Sequence, residues 1–172
     1  MRVVLVRHPA PLIAPGICYG RLDLPLRPDA DIDGMARAPL LVGSARIWTS
    51  PSRRCSTVAE RIAETLSVPL TADPRLKELD FGEWEGKRWD DIPRADLDCW
   101  AADPLGFRAP GGESGAELIA RVAEFCAELT EDCAVVSHGG PLRVLSALLR
   151  GKTVDLFAPP QAIGTIAEIF IR

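Results

Sequence analysis

Val3-Val4-Leu5-Val6-Arg7-His8 is the stretch whose reading decides the fold. Four apolar, mostly β-branched residues in a row fit a strand covered on both faces, as the central strands of parallel sheets are. The run ends in a cation and an imidazole, where the backbone would leave the carboxyl edge of the sheet. Open α/β sheets bind their ligands at that edge. The pattern returns at Ala134-Val135-Val136-Ser137-His138-Gly139-Gly140, a second buried run that ends in a histidine. The chain contains 2 histidines, and both stand at the tip of such a run.

At 172 residues, 47% hydrophobic and 26% charged, the composition is that of an ordinary globular protein, and one domain over 1–172 is expected. A net charge of −4 argues against a general binder of nucleic acid or membrane surfaces, so a basic site has to be local. No long uninterrupted apolar span is present, and Arg7 comes too early for a secretory leader. The 5 cysteines are odd in number, scattered and without a C-x-x-C pair. They read as reduced thiols of a cytoplasmic protein rather than as a disulfide framework or a zinc site. A homodimer is compatible with this surface but not dictated by it.

Outward from the first strand, residues 9–26 are rich in proline and glycine and read as a loop carrying Tyr19, Gly20, Arg21 and Asp23. A short helix is expected around Asp31–Leu41. Arg46–Ser50 reads as a strand, with Ser50 suited to cap the next helix and Pro51 to its first position. That helix carries Cys55, Val58, Ala59, Ile62 and Leu66 on one face and two cations, Arg53 and Arg54, in its first turn. Cations there oppose the helix dipole. Either they reach into water, or an anion sits among them. Val68–Thr71 reads as an edge strand because Pro69 cannot donate to a ladder. Residues 76–86 form a loop dense in carboxylates and aromatics, and a helix interrupted near Pro93 is expected over 88–101. Ser114 and Glu117 have capping-box spacing before a helix buried through Leu118, Val122 and Phe125. Gly139-Gly140-Pro141 opens another helix, with Arg143 in its first turn, and Ala167–Ile171 alternates as a last edge strand. Strands alternating with helices predict a three-layer α/β/α sandwich on a mostly parallel sheet.

Two strand-tip histidines, two helix N-termini and several first-turn arginines describe an oxyanion site, most simply for phosphate. Neither a P-loop nor a dinucleotide fingerprint occurs. Two histidines without a nearby cysteine fall short of a zinc site. A neutral imidazole can attack phosphorus, arginines can neutralise the charge that spreads over the phosphoryl oxygens, and a carboxylic acid must protonate the leaving oxygen. The loop over 78–85 supplies Glu78, Asp80, Glu83 and Glu85, and spacing does not choose among them. Trp84, Trp89 and Trp100 fit either core packing or the wall of an aromatic pocket.

Four motifs, in this order, closely resemble those of the histidine phosphatase (phosphoglycerate mutase-like) superfamily: Val6-Arg7-His8, Thr49–Arg54, Leu76–Gly86 and Ser137–Gly140. The resemblance implies His8 as nucleophile, Arg7 and Arg54 as phosphate ligands, Glu78 as proton donor and His138 as a second histidine on the phosphoryl group. It implies no metal and no other cofactor. Gly16–Leu26 is similar to the corresponding segment of α-ribazole-5′-phosphate phosphatases, which implies a substrate site including Tyr19, Gly20, Arg21 and Gly139 and a small phosphorylated metabolite as partner. A mutase-type isomerase and a catalytically weak phospho-ligand binder are the two alternatives. The chain departs from the family at Pro9, usually glycine or alanine, and in its irregular 27–43 segment.

Overall fold

In the computed structural model, which describes residues 1–171 and so leaves Arg172 outside the account, five strands form one sheet. They are β1 (Arg2–Arg7), β2 (Arg46–Thr49), β3 (Leu70–Ala72), β4 (Cys133–Ser137) and β5 (Ile166–Phe170). The helices are α1 (Ile32–Ala36), α2 (Arg53–Leu66), α3 (Arg94–Ala102), α4 (Gly115–Ala127) and α5 (Gly139–Leu149). Spatially the strands run β3-β2-β4-β1-β5; the first four are parallel, and β5 closes one edge antiparallel to β1.

The unbroken apolar run of β1 now has its reason. Val3 and Leu5, with Cys133 and Val135 of β4, pack against Leu118, Val122 and Phe125 of α4 and Leu142 and Leu145 of α5. Val4 and Val6, with Ala134 and Val136, face the other way onto Cys55, Val58, Ala59 and Ile62 of α2 and Leu41. Strand side chains alternate between faces, so a strand with helices on both sides has no polar position to spare. The architecture is a three-layer α/β/α sandwich. A separate aromatic cluster of Trp84, Phe81, Trp89, Trp100 and Phe107 holds the segment between β3 and α4, with Trp89 and Trp100 stacked 6.0 Å apart.

Local boundaries differ from the pattern in four places. Helix α2 begins at Arg53 after Ser52, not at Pro51 after Ser50. The Ser50 hydroxyl is 2.8 Å from Nε2 of His138, and the Asp23 carboxylate accepts from the Arg53 amide at 2.7 Å, so a loop residue does the capping. The helix expected over Asp31–Leu41 is a five-residue α1 followed by a 3-10 turn at Pro39–Leu41, since Pro39 cannot donate inside a helix. Pro93 divides the 88–101 region into a 3-10 turn at Trp89–Asp91 and α3. Pro69 stays just outside β3, offering only its carbonyl to Ile47.

The capping box at the start of α4 is complete: Ser114 Oγ accepts from the Glu117 amide at 3.3 Å, and the Glu117 carboxylate accepts from the Ser114 amide at 2.8 Å. Ser114→Ala should lower the unfolding free energy by about 1 kcal/mol, read from the urea midpoint at unchanged slope.

Candidate active site

Parallel β1 and β4 are paired with Arg7 opposite Ser137, so the residues that follow, His8 and His138, leave the sheet side by side. The His8 amide donates to Ser137 O, and the two rings meet edge to face at 5.1 Å. Both are buried, His138 completely. Nδ1 of His8 lies 2.6 Å from Pro9 O. A carbonyl can only accept, so Nδ1 carries the proton and Nε2 keeps its lone pair. Pro9 has no amide to donate, but its carbonyl orients the ring. Burial, with the charges of Arg54 and Arg7, lowers the His8 pKa to about 3 against the opposing pull of the Pro9 carbonyl. Burial lowers His138 well below the ordinary range too, helped first by Arg54. Both imidazoles are therefore neutral near pH 7.

Helix α2 carries Arg54 into the interior, where it has no exposed surface, while Arg53 stays outside. Arg54 donates from Nη1 to Leu22 O at 2.7 Å and from Nη2 to Gly20 O at 2.6 Å. The Tyr19 ring lies over its guanidinium at 5.5 Å. Arg7 donates to Gln161 O, and Arg143 to Leu156 O. Among the described residues none of these three guanidinia pairs with a carboxylate. Four buried side-chain polar atoms lack any partner there, and three of them are Nε of Arg7, Arg54 and Arg143. Buried cations without a counter-charge are costly, and a planar guanidinium matches the paired oxygens of an anion.

Glu78 is the carboxylate that faces this group. Its Oε1 and Oε2 accept from the Gly140 amide at 3.1 and 3.2 Å, and Oε1 accepts from the Leu79 amide at 3.0 Å. A Cβ at position 140 would stand 2.2 Å from Oε1, so the carboxylate needs a glycine there. The other acidic residues of the loop are used elsewhere. Asp80 accepts from the Gly82 amide, Glu85 from the amides of Arg21, Leu22 and Phe81, and Glu83 is exposed.

A cavity of about 370 Å³ opens over these groups, a size usual for small-molecule sites. Arg7, His8, Tyr19, Glu78, Gly139 and Arg143 form its polar wall; Leu79, Phe81, Trp100, Leu118, Leu156 and Phe157 form an apolar one. Of the residues singled out from the sequence, Arg54 and His138 lie behind His8 and do not line this cavity. Gly20 and Arg21 do not line it either. Gly20 packs against the Leu79 carbonyl and offers its own to Arg54, and Arg21 Nε donates to Glu78 O. Trp84 and Trp89 belong to the aromatic cluster, and Trp100 serves both cluster and cavity. Leu156, Phe157 and Pro160, from the irregular stretch between α5 and β5, escaped the sequence reading. Its length without periodicity was the available signal. No cluster of three or more His, Cys, Asp or Glu side chains suited to a metal occurs among the described residues, and no helix there is long and apolar enough to cross a membrane.

Comparison with known proteins places this geometry among relatives. The model of the histidine phosphatase superfamily (branch 1) matches residues 3–166. Phosphoserine phosphatase 1 of Hydrogenobacter thermophilus is 29% identical over 171 residues, covering 91% of this chain and 80% of that protein. The crystal structure of the α-ribazole phosphatase from Shigella flexneri superposes with a TM-score of 0.88 at 25% identity, covering 100% of this chain and 91% of the other. A mycobacterial glucosyl-3-phosphoglycerate phosphatase superposes with a TM-score of 0.76 at 25% identity, covering 97% and 88%.

The buried neutral His8 carries a signature in stability. Unfolded, its imidazole takes a proton near the usual 6.5; folded, it resists until about 3. The unfolded state thus binds more protons between these values, and stability falls as pH drops from about 6.5 towards 3. His8→Asn removes this group, so urea midpoints followed from about pH 7 to about pH 4 should decline less steeply in the variant than in the parent protein. Equal slopes would remove His8 from the account.

Proposed function

The chain belongs to the histidine phosphatase superfamily, and from that premise we propose that it hydrolyses phosphomonoesters through a phosphohistidine at His8, with α-ribazole 5′-phosphate as leading substrate. The observation that carries the reading is the pair of buried, unpartnered Nε donors of Arg7 and Arg143 on the cavity wall beside a neutral His8, with the uncompensated charge of Arg54 buried nearby. A phosphate dianion supplies the acceptors and the charge that such a site lacks.

In the first step the Nε2 lone pair of His8 forms a bond to phosphorus as the bond from phosphorus to the ester oxygen breaks. Glu78 gives its proton to that oxygen, and the alcohol leaves. In the second step the Glu78 carboxylate takes a proton from water, whose oxygen attacks phosphorus. The P–N bond returns its electrons to His8, and inorganic phosphate departs. Arg7 stabilises the charge on the non-bridging oxygens throughout, and Arg54, buried outside the cavity wall, adds the field of its uncompensated positive charge. His138, neutral and next to His8, adds no positive charge that would oppose formation of the phosphohistidine cation. No cofactor enters the scheme.

The apolar wall favours a leaving group with a flat, weakly polar surface. Phe81, Trp100 and Phe157 can cover a benzimidazole riboside far better than they can pair the ammonium and carboxylate of phosphoserine. Among the described residues Arg143 is the single cation of the wall besides Arg7, which gives poor support for a second anionic group such as the carboxylate of phosphoglycerate. We place the enzyme in the cytoplasm, where such metabolites are made and thiols stay reduced.

Phosphate release from α-ribazole 5′-phosphate, phosphoserine and 3-phosphoglycerate, each with EDTA present, tests the assignment. The expected result is kcat/KM at least about tenfold higher for α-ribazole 5′-phosphate, a difference of roughly 1.4 kcal/mol in transition-state binding, and no turnover by His8→Ala. A preference for phosphoserine discards the substrate, phosphoryl transfer to a second hydroxyl makes the protein a mutase, and turnover by the variant discards the nucleophile. Separately, Glu78→Gln should lower kcat/KM for an alkyl phosphate by about 100-fold while lowering kcat/KM for p-nitrophenyl phosphate, whose leaving group scarcely needs a proton, much less.

A further inference from the structure

We infer that Arg21, Glu113 and Arg121 are positioning residues that clamp the backbone of Glu78 and so set where its carboxyl meets the leaving oxygen; the inference rests on the reading of Glu78 as proton donor. Glu78 lies in irregular chain between 3-10 turns at Pro74–Leu76 and Gly82–Trp84, so no helix or strand ladder holds it. Its carbonyl instead accepts from two guanidinia, Arg21 Nε at 2.9 Å and Arg121 Nη2 at 3.1 Å.

Both guanidinia converge on Glu113. Arg121 grips that carboxylate bidentately, Nε to Oε1 at 2.6 Å and Nη2 to Oε2 at 2.9 Å, and Arg21 Nη2 reaches Oε2 at 3.5 Å. Glu113 also ties the far side of the loop, its amide donating to Asp80 O at 2.9 Å and its Oε2 accepting from the Asp80 amide at 3.4 Å. Arg121 Nη1 donates to Arg75 O, so the stretch is held at 75, 78 and 80 by one cluster. The Glu113 and Arg121 side chains are only 13% and 15% exposed, which shields this ion pair from the solvent that weakens surface pairs. None of the three lines the cavity, which separates their role from substrate contact. Among the described residues the Glu78 carboxylate is gripped by two amides, one of them its neighbour's, so its place follows its backbone, and a displacement of about 1 Å can cost ~100-fold in rate.

The readout is the ratio of kcat/KM on an alkyl phosphate to kcat/KM on p-nitrophenyl phosphate, which covers only the steps up to departure of the alcohol and so isolates leaving-group protonation from folding and from hydrolysis of the phosphohistidine. Glu113→Gln should lower that ratio by about tenfold, and Arg21→Ala by a smaller factor, because it removes one of the two donors to Glu78 O. In a Glu78→Gln background neither change should lower it further. An unchanged ratio in both single variants overturns the inference, as does an additive loss in the Glu78→Gln background. If Glu113→Gln does not fold, Arg21→Ala decides, since it leaves the Glu113–Arg121 pair intact. If Glu78→Gln itself leaves the ratio unchanged, the proton-donor reading fails and this inference falls with it, an outcome distinct from failure of the clamp alone.

Discussion

Arg54 carries a positive charge to a place with no exposed surface and meets two peptide carbonyls there, but no carboxylate. A buried ion without a counter-ion is among the most expensive arrangements in a folded chain, and single carbonyl partners offset only part of that cost. Much of the surrounding structure follows from accommodating it. Gly20 and Leu22 aim their carbonyls inward, the Tyr19 ring covers the guanidinium face, and Asp23 is spent on the amide of Arg53 at the end of α2. The two histidines stay uncharged beside it, since a proton on either would add a further buried cation. A site kept short of negative charge in this way is preorganised for an anion that arrives from outside.

The sheet was readable because burial on both faces writes a plain pattern: an unbroken apolar run, Val3–Val6 and again Ala134–Val136, each separated from a histidine by one polar residue. The adjacency of the two tips was not written in either run. It depends on β4 pairing with β1 rather than lying elsewhere in the sheet, and pairing order leaves no local trace in sequence. The acid shows the same limit. Glu78, Asp80, Glu83 and Glu85 are alike in type and close in number, and what separates them is which one meets the amide of Gly140 across the fold. Arg21 was readable as a charge beside the strand tip, yet it turns to the Glu78 carbonyl instead of the cavity. The stretch between α5 and β5 was invisible to pattern reading because it has no period, and its contribution, a wall of Leu156 and Phe157, rests on carbonyls held by Arg7 and Arg143.

Support for the site therefore comes in two physical kinds. In the proposed chemistry, the groups assigned to the phosphoryl centre are delivered by regular elements, the tips of β1 and β4 and the first turns of α2 and α5, whose backbone bonds leave little play. Glu78, assigned to the leaving alcohol, and Leu79, Phe81, Leu156 and Phe157 of the apolar wall come from irregular chain, held in part by side-chain bonds to carbonyls. The first kind suits chemistry that is the same for every phosphate ester. The second can be altered by changing a few side chains without disturbing the sheet, which is where divergence of substrate within one fold is cheapest.

Strand β1 precedes both strands that flank it, β4 and β5, by well over half the chain and so leaves the ribosome before either. While residues 8–132 are being made, its run of valines and leucine has neither neighbour to pair with. Such a segment is a sticky edge in a nascent chain, prone to pairing with the wrong partner. Synthesis at roughly 5–20 residues per second keeps it waiting for several seconds. The strand that carries His8 to the sheet edge is thus also a segment left open to mispairing during translation.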